Sequence, residues 1–142
     1  MKIVLAADHG GFELKEVIKK NLLQAEWDVV DVGCTSNDSV DYPDFAEMAV
    51  SSMLTGDCQR GILVCGTGIG MSIAANRHRQ IRAANCFDID TAKLSREHNN
   101  ANILCLGARV LETDNAIRMV NVWLETEFTG GRHQTRVAKF SE

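Results

Sequence analysis

Cys65 stands directly before Gly66-Thr67-Gly68-Ile69-Gly70, three glycines set between an apolar run and a helix-period segment. Small residues at such a junction let backbone N–H groups turn toward a ligand, and the following helix N-terminus adds positive potential. That setting favours the thiolate, the reactive form of a cysteine. Two nucleotide-binding patterns are excluded: G-x-G-x-x-G needs a glycine where Met71 stands, and the phosphate loop of nucleotide hydrolases needs a G-K-[ST] ending that is absent. Spacing alone leaves a ligand-free strand-to-helix turn equally open, with Cys65 as a small buried residue. Cys34, Cys58, Cys86 and Cys105 read as such residues. Five cysteines without a C-x-x-C pair argue against a disulfide framework or a zinc site.

The histidines divide by context. His9 follows Asp8 in Asp8-His9-Gly10-Gly11, where a carboxylate can orient or charge an imidazole. His98 opens His98-Asn99-Asn100-Ala101-Asn102, a composition that also suits a helix end and turn. His78, in Asn76-Arg77-His78-Arg79, reads as solvated. His133 lies in the tail, Gly130-Gly131-Arg132-His133-Gln134-Thr135-Arg136.

That tail reverses the local charge. Residues 128–142 carry Arg132, Arg136 and Lys139 against Glu142, a balance of +2, while the first 127 residues carry 12 basic and 18 acidic groups, or −6. Two arginines four apart share a face if the tail is helical, and paired guanidinium forks suit a phosphate. A solvated charged tail is the plainer alternative. Residues 21–59 hold eight acidic groups and no Lys or Arg, and read as a solvated acidic face. Only Asp41, in Asp41-Tyr42-Pro43, is nominated from it for a site.

The elements that must position these groups are legible as alternating patterns. Ile3–Ala7, Val29–Val32, Ile62–Cys65, Ile81–Cys86 and Ile103–Leu106 are short, near-continuous apolar runs, as expected of parallel strands covered on both faces. Leu14, Val17, Ile18, Leu22 and Ala25 recur at helical spacing, as do Ala116, Met119, Val120, Trp123 and Leu124 after a cap at Thr113 or Asp114. Phe45–Leu54, Met71–Arg79 and Ile89–His98 fill the other helical slots. Strand–helix alternation without a linker predicts an α/β fold: one doubly wound, Rossmann-like, mostly parallel five-stranded sheet with helices on both faces, and a C-terminal tail. Ligands of such sheets bind beyond the carboxyl ends of the strands, where Asp8 and the Cys65 loop fall.

Length and composition bound the rest. The chain has 142 residues, the size of one domain, with 45% hydrophobic and 24% charged residues, ordinary globular usage that excludes disorder. A net charge of −4 argues against a nucleic-acid partner. The longest uncharged stretch, Gly61 to Asn76, is broken by four glycines and falls short of the roughly 20 apolar residues of a membrane helix. The opening apolar run meets Asp8 too early for a signal peptide, so the expected location is the cytoplasm.

Taken together, these residues resemble the ribose-5-phosphate isomerase B family, related to galactose-6-phosphate isomerase subunits. The matching pieces are Asp8-His9-Gly10-Gly11, Asp41-Tyr42-Pro43, Cys65 to Gly70, His98-Asn99-Asn100, Gly107-Ala108-Arg109 and Gly130 to Gln134, in family order along nearly the whole chain. The resemblance implies an aldose–ketose isomerase that opens a cyclic sugar phosphate and moves a proton between C2 and C1 through a cis-enediolate. It makes Cys65 the base; another branch carries Glu at the position of Met71, so Met71 fits the cysteine branch. It assigns enediolate stabilisation to N–H groups of Gly66, Gly68, Ile69 and Gly70, and ring opening to His98, with Asp8 and Thr67 assisting at the hydroxyls. His9, Arg109, Arg132 and Arg136 match phosphate contacts, with His133 close by, and Asp41, Tyr42 and Asn99 match pocket-lining residues. It implies no metal and no organic cofactor, and a homodimer or higher homo-oligomer.

His98 and Asn99 precede a strand, which puts them near its amino end, away from the chain's own carboxyl-end site. The expectation is a pocket shared between chains, with Cys65 from one and His98 from its partner. The rival readings are a galactose-6-phosphate or allose-6-phosphate isomerase, and a non-catalytic sugar-phosphate-binding module.

Overall fold

The structure, a computed structural model, describes residues 1–141. Strands and helices alternate as β1 (Lys2–Ala7), α1 (Phe12–Gln24), β2 (Asp28–Asp31), α2 (Tyr42–Leu54), β3 (Arg60–Cys65) and α3 (Ile69–Ala75). They continue as β4 (Ala83–Asn85), α4 (Ile89–Glu97), β5 (Ile103–Gly107), α5 (Thr113–Glu125) and α6 (Arg132–Ser141). All strand pairs are parallel, in the order β2-β1-β3-β5-β4. The sheet is therefore the doubly wound α/β architecture that the alternation predicts.

Side chains of successive strand residues enter opposite layers, which is why the strands read as unbroken apolar runs. Ile3, Leu5, Ile62, Val64, Leu104 and Leu106 pack with α1, α4 and α5, around the fully buried Trp123. Val4, Ala6, Leu63, Cys65, Ile103 and Cys105 pack with α2 and α3. All five cysteines are buried and unpaired. Among the described residues, no helix is long and apolar enough to cross a membrane.

Several boundaries differ from the sequence pattern. β2 is one residue earlier than expected, Asp28–Asp31. β4 is shorter than the run Ile81–Cys86, because the backbone N–H of Arg82 bonds the Asn102 side chain at 2.7 Å rather than a strand. α3 starts at Ile69, not Met71, and stops at Ala75 because Asn76 turns to β4. Its side-chain amide grips both backbone groups of Ala83 at 2.8 Å, so a side chain covers the free edge of the sheet there. α2 begins at Tyr42 rather than Phe45, with Pro43 in its first turn, so Asp41 is its N-cap residue. α5 is capped by Glu112, without a side-chain bond, instead of Thr113 or Asp114. His78 is half-buried and bonds Glu47 at 2.9 Å rather than being solvated.

The acidic stretch is not uniformly solvated either. Asp31, 15% exposed, accepts hydrogen bonds from Lys15 at 2.6 Å and Lys19 at 3.0 Å, and Lys15 is only 1% exposed. Burial pushes the Asp31 carboxyl up, but the bonds from Lys15, Lys19 and the Gly33 N–H outweigh it and hold the carboxyl below the usual carboxylate range. Its stabilising contribution is therefore complete above the ordinary carboxyl range and is lost as pH falls through the depressed value. Asp31→Asn should cost about 3 kcal/mol, the low end for breaking a buried pair, since Glu16 remains near Lys15. Thermal melts across the acid range check this: the variant melts lower at neutral pH, and the gap closes toward low pH.

Candidate active site

The chain order reverses between β1 and β3, because β2 lies on one side of β1 and β3 on the other. Beyond the carboxyl ends at such a reversal lies the usual ligand crevice of an open α/β sheet. Asp8 follows β1 and Cys65 ends β3 at this crevice. Cys65 is 5% exposed, and its Sγ accepts the Gly68 N–H at 3.1 Å. Gly68 has φ +80°, and a Cβ there would lie 2.3 Å from Asn85 Oδ1, so both backbone and space require glycine.

The remaining loop donors are divided. The Ile69 N–H goes to Thr67 Oγ1 at 3.2 Å, and the first bond within α3 is Ser72 N–H to Gly68 O. The N–H groups of Gly70 and Met71 thus belong to the unbonded first turn of α3; Met71 is fully buried, which leaves the Gly70 N–H free for a ligand oxygen. Two of the loop donors expected to face a ligand are instead used to hold Cys65 and Thr67. The Met71 side chain is fully buried in the core, so Cys65 is the titratable side chain of this loop.

The walls come from three other elements. Tyr42, the first residue of α2, lays its ring over Gly70, where a Cβ would fall 2.6 Å from Cζ. Asp8 is 8% exposed and its Oδ1 accepts the Gly11 N–H at 3.1 Å. The turn after β5 is pinned by Ala108 N–H to Cys65 O and Arg109 N–H to Gly66 O, each 2.9 Å. This brings the Arg109 guanidinium across Gly66.

Arg109 lies between two cavities. One, about 380 Å³, is lined by Asp8, Tyr42, Cys65, Gly66, Thr67, Ile69, Gly70 and Ile73 besides Arg109. The other, about 410 Å³, is lined by His9, Gly10, Glu13, Asn37 and Thr113 among others. His9 Nδ1 accepts the Val40 N–H at 3.2 Å, which leaves Nε2 to carry the ring proton as a donor. The first cavity holds carboxylate, thiol and hydroxyl groups, and the second an imidazole donor beside a guanidinium. Proton transfer suits the first and anion binding the second.

The other candidates lie elsewhere. His98 is the C-cap of α4 and Asn99 is exposed just beyond it. The Thr129 N–H and Oγ1 both bond Glu97 O, at 3.1 and 2.7 Å, and Gly130 and Gly131, at φ +67° and +56°, turn the chain into α6. This anchoring stacks His133 on His98, ring centroids 4.2 Å apart, with Arg132 and Arg136 exposed on the same helix. Burial holds the His133 imidazole below its ordinary range, and His98, Arg132 and Arg136 push in the same direction. The segment after His98 enters the sheet beside the amino end of β3, where Gly61 N–H bonds Asn102 O. Cys65 closes the other end of that strand, roughly 17 Å away at the usual strand rise. The structure thus gathers Cys65, Thr67, Asp8, His9, Tyr42, Arg109 and the glycine loop at one end of the sheet. It gathers His98, Asn99, Arg132, His133 and Arg136 at the other.

The sequence profile of the ribose/galactose isomerase family matches residues 3–140. The chain belongs to that family. Ribose-5-phosphate isomerase B of Escherichia coli is 43% identical over 136 residues, which are 96% of this chain and 91% of that protein. The structure of ribose-5-phosphate isomerase B from Clostridium thermocellum matches with a TM-score of 0.98 at 50% identity, over 99% of this chain and 95% of that one. The Mycoplasma genitalium ribose-5-phosphate isomerase B, solved with bound ribulose-5-phosphate, matches at 0.93 and 39% identity, over 99% and 93% of the two chains.

In this family member, two further residues shape the site without a sequence signal for it. Asn85 sets its side chain against Gly68 and so backs the turn that holds Cys65. Arg96, 2% exposed, donates to Thr126 O at 3.1 Å, Asn100 Oδ1 at 2.9 Å and Ala101 O at 2.6 Å, fixing the segment that follows His98. Burial first, then Arg60 and Arg82 against the opposing Glu127, brings its guanidinium down to about 10, still charged at neutral pH. A basic residue on an amphipathic helix ordinarily reads as surface, which conceals such a clamp.

Proposed function

We propose that the chain is an aldose–ketose isomerase interconverting ribose 5-phosphate and ribulose 5-phosphate. The observation that carries the reading is Cys65 Sγ, held at 3.1 Å by the Gly68 N–H in the floor of a pocket walled by Asp8, Thr67, Tyr42 and Arg109. Its relative from M. genitalium was solved with ribulose-5-phosphate.

In this reading, His98 first moves the proton that opens the sugar ring. The Cys65 thiolate then takes the proton from C2. The freed electron pair forms the C1–C2 double bond, and charge passes to O1. The free Gly70 N–H at the start of α3 stabilises that oxygen, as a preorganised donor does for any developing oxyanion. The thiol returns the proton to C1 while the O2 proton passes to O1, leaving the ketone at C2 and a hydroxyl at C1. Asp8 and Thr67 hold hydroxyls, and Tyr42 and Asp41 confine the sugar. His9 and Arg109 receive the phosphate together with Arg132 and Arg136 of a second copy of the chain.

His98, Asn99, Arg132, His133 and Arg136 serve this reaction from a second copy of the chain. Their separation from Cys65 by the length of β3 supports that arrangement. So does apolar surface beside the pocket: Ile69 and Ile73 on α3 are 54% and 61% exposed. The reading makes residues 1–142 one catalytic domain of a cytoplasmic homodimer or larger homo-oligomer.

A coupled assay comparing ribose 5-phosphate with allose 6-phosphate and galactose 6-phosphate tests it. The five-carbon substrate should give the highest kcat/KM. Preference for a six-carbon phosphate, or binding without turnover, would refute the assignment.

A further inference from the structure

His98 and His133 meet face to face, with an interplanar angle of 13° and centroids 4.2 Å apart. The contact is built from the backbone: Thr129 ties the approach to the end of α4, and the two positive-φ glycines aim α6 so that His133 covers His98. Arg132 and Arg136 lie one helical turn apart on α6, Arg132 next to His133 in sequence and Arg136 three residues on, and both positive charges act on the ring. On α4, Glu97 adjoins His98 but is drawn to Lys93 at 3.6 Å; the link between α5 and α6 adds the neutral Thr129 and the acidic Glu127, whose charge acts on Arg60 and Arg96. The immediate field on His133 is therefore positive, and it works against a further proton. Two charged imidazoles at this separation, beside two guanidinium groups, would repel. A phosphate dianion placed on Arg132 and Arg136 inverts that field.

We propose that His133 is a proton switch tied to phosphate binding. It is neutral in the empty protein and takes one proton from solvent as the substrate phosphate settles on Arg132 and Arg136. The stacked pair holds that single proton on His133, which leaves His98 free to move the ring-opening proton and fixes the plane of its ring. This deepens the isomerase reading and rests on it.

Ribitol 5-phosphate carries the phosphate and hydroxyls but no carbonyl, so it binds without reacting. Calorimetric titration of the full chain at pH 7, in two non-phosphate buffers of different ionisation enthalpy, counts the protons exchanged per ligand bound. The parent should take up protons. His133→Phe, which keeps the ring stack but cannot be protonated, and His133→Gln, which loses the stack, should bind several-fold more weakly and lose most of that uptake. Any proton the phosphate itself exchanges is common to all three proteins, so the difference isolates His133. Binding with no uptake by the parent, or equal uptake by both variants, overturns the switch and leaves the isomerase reading standing. No binding of ribitol 5-phosphate to the parent overturns both.

Discussion

Cys65→Ala should lower kcat for ribose 5-phosphate isomerisation by about 10³-fold, within the range for loss of a positioned acid–base group, with KM little changed. The thiol is the titratable side chain of the glycine loop, and the Gly68 N–H that bonds it is fixed by a turn only glycine can make. The phosphate contacts lie on other elements, which is why affinity should survive. Stability should survive as well, since the exchange leaves only a small void at the edge of the core. Cys65→Ser should not rescue turnover, because a hydroxyl is too weak an acid to supply the anion at neutral pH. Steady-state kinetics check the loss, and proton exchange at C2 in heavy water should disappear with it. A variant that keeps more than about a tenth of parental kcat, against the 10²-fold or greater loss expected, would mean that another group moves the proton.

The parallel sheet was legible because its central strands β1, β3 and β5 are buried on both faces, and an unbroken apolar run such as Ile62–Cys65 has few other uses. Strand order was not legible. That β5 inserts between β3 and β4 depends on pairings such as Leu63 with Cys105, distant in sequence and carried by no local pattern. Short-range rules also misplaced ends that side chains control. Asn76 stops α3 by bonding Ala83, and Pro43 lets α2 start before the apolar periodicity begins. Lys15 and Arg96 were hidden for one reason. A charged residue reads as surface unless its partner is known, and Asp31 and Thr126 are 16 and 30 residues away.

The site was half legible from types and spacing. The loop after Cys65, the Asp8-His9 pair and the paired arginines each stood out as chemistry. Their grouping did not, because proximity across a fold is not a property of any segment. What the topology did foretell was the separation of His98 from Cys65, since a residue preceding a parallel strand must lie at its amino end. The His98–His133 stack had no such signal. It depends on Thr129 fastening the tail to the end of α4, a contact 32 residues apart.

The central claim is a catalytic site completed by a second copy of the chain, and mixing two inactive variants tests it most directly. Cys65→Ala keeps the His98 end intact, and His98→Ala keeps the Cys65 end intact. In a mixed dimer one of the two sites joins both defects, and the other joins two sound halves. With equal amounts and free exchange, half of the dimers are mixed, so the mixture should regain about a quarter of parental activity from two proteins that each have almost none. Mass spectrometry of the intact complexes confirms that exchange took place. Activity near a quarter of the parent, appearing with the rate of exchange, is the predicted result. Mixed dimers that form and remain inactive would contradict a site built from two chains.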